Sequence, residues 1–61
     1  MIQIQNNEIS YIFEEGGWII RPHGNEWVLI EIPQFGGEER IVRYYPNHHL
    51  HLAIQEGLRM T

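Results

Sequence analysis

The sequence predicts an α+β fold: a small antiparallel β-meander of four to five strands with one C-terminal helix packed on one face. Three observations carry this expectation. Apolar and polar residues alternate through short runs, the period of a half-buried strand. Between the runs stand Asn6-Asn7, Gly16-Gly17, Pro22-His23-Gly24-Asn25 and Pro33 to Glu39, rich in residues that supply turn backbone angles. Only beyond Pro46 does the apolar spacing change to the 3.6-residue period of an amphipathic helix.

Taken in order, Met1 to Gln5 alternates with Ile2 and Ile4 on one side, and Asn6-Asn7 supplies the positive backbone angles of a tight hairpin. In Glu8 to Glu14, residues Ile9, Tyr11 and Phe13 share a face opposite Glu8, Ser10 and Glu14, with Ile12 as the exception. Gly16-Gly17 reads as the next hairpin turn, because glycine reaches mirror-image turn conformations without steric cost. Trp18 to Arg21 returns as a strand, and Pro22 to Asn25 is a second turn. Trp27 to Ile32, interrupted only by Glu31, reads as a strand covered on both faces. Pro33 to Glu39 is a loop, since proline donates no ladder hydrogen bond. Arg40 to Tyr45 forms the last strand, ended by Pro46. Asn47 is the expected N-cap of a helix beginning at His48, with Leu50, Ala53, Ile54, Gly57, Leu58 and Met60 as its apolar stripe.

With 61 residues the chain is expected to form one domain, residues 1–61, in a size range where a single core barely suffices without a disulfide, metal or partner chain. There is no cysteine, which excludes disulfides and thiolate zinc sites. The charges are all glutamate and arginine, with a formal net charge of −4. That balance opposes binding to a phosphate backbone, which depends on neutralising cations, so nucleic acid is not an expected partner. No run is long and apolar enough to span a membrane and no signal-type N-terminus is present, so a soluble cytoplasmic protein is the expectation.

His48, His49 and His51 crowd one short segment, but the stripe places them on the solvent side of the first helical turn. The i+4 partner of His48 is Leu52, and no cysteine or aspartate exists to complete a ligand set, so neither metal nor any other cofactor is expected. Ser10 lies within a strand and Thr61 at the chain end, which leaves no nucleophile backed by histidine. Glu14-Glu15 and Glu38-Glu39 flank glycine turns, where solvent exposure argues against paired acid and base roles. Neither Gly-Gly pair has the spacing of a phosphate-binding loop. The chain is therefore expected not to be an enzyme.

The remaining signal is an excess of apolar surface. Trp27 and Leu29 face one way and Val28, Ile30 and Ile32 the other, with Ile12 and Trp18 added to that second face. One helix is roughly 10 Å across and shields one face only. A partner is expected to cover the rest, the simplest being a second copy in a homodimer. Leu52, on the polar side of the helix, supports the same view. The expected function is that of a small acidic inhibitor or regulator that binds a larger, unidentified protein, of a kind suited to a phage or mobile element acting against host defences. Its interaction surface is expected to comprise Trp18, Trp27, Leu29, Phe35, Glu38, Glu39, Tyr44 and Leu52. The alternative is a module that binds a small ligand or single-stranded nucleic acid by stacking on Trp18, Trp27, Tyr44 and Tyr45.

Glu15-Gly16-Gly17-Trp18 and Ile32-Pro33-Gln34-Phe35-Gly36 resemble the glycine turn and proline-containing strand end of HicB-like antitoxins. The resemblance implies a shared sheet-plus-helix topology. The acidic helix start usual in that family is replaced here by Asn47-His48-His49, so no functional residue is carried across.

Overall fold

The structure is a computed structural model that describes residues 2–14, 16–33 and 37–60. Five strands, β1 (Ile2–Gln5), β2 (Glu8–Phe13), β3 (Gly16–His23), β4 (Glu26–Ile32) and β5 (Arg40–Pro46), form one antiparallel sheet in sequence order. A 3₁₀ turn, η1 (Asn47–His49), leads into the helix α1 (Leu50–Arg59), which packs across β3, β4 and β5. The expected meander with one C-terminal helix is thus the observed fold.

Each hairpin follows from its turn residues. Asn6 and Asn7 both take positive φ, 53° and 63°, the type I′ arrangement whose twist matches the flanking strands. Between His23 and Glu26, Gly24 alone has positive φ, and Pro22-His23 belongs to β3 rather than to the turn. Gly16-Gly17 likewise is not the turn: Phe13 pairs with Gly16 and Ile12 with Gly17, so both glycines open β3. Gly17 has a steric reason to be glycine, because a Cβ there would run into the Tyr11 carbonyl oxygen.

This register sets the faces, since directly opposed residues in an antiparallel pair lie on the same side. Trp18 opposes Tyr11, Ile20 opposes both Ile9 and Leu29, and Trp27 opposes Tyr45. All of these lie on the helix side. Trp18 therefore does not join Ile12 on the second face, contrary to the expectation from sequence; Ile12 opposes Gly17 instead.

The core consists of Trp18, Ile20, Leu29 and Tyr45 from the sheet and Ala53 from α1, surrounded by Ile9, Tyr11, Trp27, Val42, Leu50, Ile54 and Met60. Tyr11 stacks on Trp18 at 5.9 Å between ring centroids and 13° between planes. The helix comes so close to the indole that a Cβ at Gly57 would lie 2.7 Å from Cε2 of Trp18. Gly57 is what lets α1 seat at this depth.

Two further details depart from the sequence pattern. The β4–β5 register shifts between Leu29, opposite Arg43, and Ile30, opposite Ile41, leaving Val42 as the extra residue of a bulge. The bulge turns Val42 toward the helix-side core while Ile41 stays on the back beside Ile30. Asn47 does not cap the helix; no side-chain cap hydrogen bond forms, and its carbonyl accepts from Trp27 Nε1 at 3.2 Å. The α-helix accordingly starts at Leu50, and Leu58, expected within the buried stripe, is exposed.

Candidate interaction surface

The face of the sheet away from α1 carries the main apolar surface. Its central row runs Ser10, Ile19, Ile30, Ile41 across β2 to β5, flanked by Ile12, Gly17 and Ile32 on one side and by Arg21, Val28 and Tyr44 on the other. No described helix or strand lies over it. Val28 and Ile30, in the central strand of that face, are nevertheless buried. Ile12 leans across β3, its Cδ1 coming within 3.3 Å of where a Cβ of Gly17 would stand.

What stays open is the ring of residues around that floor: Ile12 is 51 % exposed, Ile41 55 % and Tyr44 41 %. Half-buried Ile19 and Ile32 connect them. The rim is polar. Arg21 Nε lies 3.2 Å from Glu8 Oε2 but is not aligned for a hydrogen bond, and His23 meets the Tyr44 ring edge-on at 5.2 Å. An apolar centre inside a polar rim is the anatomy of a protein–protein contact.

Strand direction places the loop that contains Glu14 and the loop that contains Glu38 and Glu39 at one end of the sheet, where all three are exposed. His23 and the η1 histidines lie at the other end. The His48 and His49 rings are 4.1 Å apart and those of His49 and His51 6.0 Å apart. Among the described residues no group of three or more histidines and acids converges as metal ligands would.

The described residues among those expected to form the interaction surface do not come together. Trp18 and Leu29 are fully buried beneath α1, because hairpin register turns them to the helix side, and they are not surface residues. Trp27 is half-buried on that side and hydrogen-bonded to Asn47. Tyr44 is on the back, Glu38 and Glu39 are at the acidic end, and Phe35 lies outside the described residues. Leu52 is exposed beside a groove of about 210 Å³ between α1 and β5, which Arg43, Tyr45, Gln55, Glu56 and Arg59 also line.

Sequence reasoning assigned Ile12 to the second face but left it out of the surface, and it gave Ile41 no face; the β4–β5 register shift, which sets that face, is not visible within β5 alone. Ile2 and Ile4 were legible as one side of a strand, but nothing local says that α1 fails to reach them. No helix among the described residues is long and apolar enough to cross a membrane. Compared with family models, curated proteins and solved structures, the chain matches none.

Proposed function

We propose that the protein is a non-enzymatic interaction protein, working as a homodimer in the cytoplasm, that inhibits or regulates a larger protein by docking the back of its sheet on it. The observation that supports this reading is the ring of Ile12, Ile41 and Tyr44 around a buried floor of Val28 and Ile30, with no described helix or strand above it. Exposed apolar residues gathered on one face and rimmed by polar groups are the surface such docking requires. Glu14, Glu38 and Glu39 at the neighbouring sheet end favour a target with basic residues beside its apolar patch.

The stacking-platform alternative finds less support. Trp18 and Tyr45 are buried under the helix, and Tyr44 is on the opposite face from Trp27. These aromatics do not share an open surface, as successive stacked bases require.

The test compares the wild-type chain with an Ile12→Glu/Ile41→Glu variant in capture from the source cell and in titration of the purified target. Loss of target binding by a variant with an unchanged circular dichroism spectrum is the expected result. Undiminished binding by that variant, or strong salt-sensitive binding of the wild type to oligonucleotides, refutes the reading.

A further inference from the structure

We infer that two copies of the chain join edge to edge through β1, forming one continuous sheet with both helices on the same side. This rests on the homodimer reading above and identifies the surface that makes the dimer. Among the described residues β1 and β5 are the two edge strands of the sheet, and their chemistry differs. β5 carries Arg40, Arg43 and Pro46 and a bulge in its pairing with β4, all features that hinder addition of a further strand. β1 reads Ile-Gln-Ile-Gln, without charge, proline or bulge. Its Ile2 is 50 % exposed and its Ile4 76 % exposed, on the helix side but beyond the helix.

Main-chain geometry then selects the partner and the register. The type I′ turn at Asn6-Asn7 makes Gln5 and Glu8 the hydrogen-bonded pair that closes the hairpin. Alternation makes Gln3 and Ser10 the next such pair, so the main-chain groups of Ile2 and Ile4 point away from β2 toward the open edge. A second β1 satisfies them if outward residues meet outward residues. The two-fold arrangement that does so most fully pairs Ile2 with the partner's Ile4, and Gln3 with the partner's Gln3. Directly opposed residues share a face, so this register gathers the isoleucines of both copies into one apolar cluster on the helix side. A one-residue slip would set Ile4 against the partner's Gln3, oppose groups of the wrong direction and put the helices on opposite faces. A two-fold axis also closes the assembly, whereas β1 pairing with the protected β5 of a neighbour would generate an open filament.

The consequence for function is geometric. Both back faces lie on the same side of the extended sheet, so the Ile12, Ile41 and Tyr44 surfaces are presented together to one target. The contact is small, which places it among weak, concentration-dependent assemblies.

Molecular mass measured by sedimentation over a concentration series, together with cysteine cross-linking, tests the inference. The chain has no native cysteine, so one introduced residue reports alone. In Gln3→Cys the paired Cα atoms sit about 4.5 Å apart across a non-hydrogen-bonded site, within disulfide range. In Gln5→Cys the two sulfurs are displaced by about 13 Å along the strands. Gln3→Cys is expected to oxidise to a covalent dimer and Gln5→Cys to remain monomeric under the same conditions. Ile4→Lys, at an exposed position, is expected to keep the wild-type circular dichroism spectrum and to abolish the dimer, and Ile41→Glu to leave the dimer intact. A dimer that survives Ile4→Lys, or one that fails to cross-link in the Gln3→Cys variant, overturns the edge assignment alone. A wild-type chain that stays monomeric throughout the series overturns both this inference and the homodimer reading.

Discussion

Replacing Gly57 with alanine sets two effects of opposite sign against each other. Within a helix interior, alanine is favoured over glycine by about 1 kcal/mol. At this site, however, the new Cβ would stand 2.7, 2.8 and 3.0 Å from Cε2, Cδ2 and Cζ2 of Trp18. The indole cannot yield easily, because it is fully buried and stacked on Tyr11. Restoring ordinary contact needs a retreat of about 0.7 Å, and a gap of that size forfeits roughly a quarter to a half of the dispersion attraction between the atoms it separates. The helix would have to lift, loosening Ala53, Ile54 and Leu50 at the same time. Overpacking of a dense core costs about 1–3 kcal/mol, so the net effect is expected to be destabilisation by about 1 kcal/mol. In a domain this small that corresponds to a fall in Tm of about 4–8 °C. Thermal unfolding followed by near-ultraviolet circular dichroism measures it. A double-mutant cycle with Trp18→Phe identifies the cause, because the smaller ring should relieve the clash and give a non-additive coupling. A rise in Tm for Gly57→Ala, the outcome helix propensity alone would give, refutes the close-approach argument.

Other substitutions follow from the same packing. Trp18→Ala is expected to cost about 3–5 kcal/mol and leave the chain largely unfolded, as judged by urea titration. Trp18→Phe should cost no more than about 1.5 kcal/mol: it leaves a smaller cavity and also removes an indole Nε1 that is buried without a hydrogen-bond partner among the described residues. Trp27→Phe deletes the bond to the Asn47 carbonyl and should cost about 1 kcal/mol, with faster amide exchange across η1 as its signature. Ile41→Lys changes an exposed position, so its unfolding free energy should stay within about 0.5 kcal/mol of wild type while binding of a hydrophobic dye to the folded protein falls.

The histidine-rich segment is the link between the last strand and the helix. Pro46 pairs with Glu26 at the end of β5, and the chain then turns through Asn47, His48 and His49 before the helix begins. Asn47, which sequence reasoning made an N-cap, instead offers its carbonyl to Trp27. The donor to that carbonyl lies twenty residues away in the chain, outside any local window.

Local chemistry determined much by itself. Asn6-Asn7, the loop after Pro33 and the change of apolar period after Pro46 announced a meander followed by a helix, because turn angles and side-chain periodicity are properties of neighbouring residues. The absence of cysteine and the mixture of glutamate and arginine narrowed the chemistry for the same reason. Tertiary structure alone decided which apolar residues became core and which became surface. Period two groups residues within one strand, but which groups share a sheet face depends on where each hairpin closes: Phe13 opposite Gly16 sent Trp18 under the helix, and a single extra residue at Val42 kept Ile41 on the back. Whether an apolar side chain is covered depends on the reach of one short helix across the whole sheet, and no stretch of sequence encodes that distance.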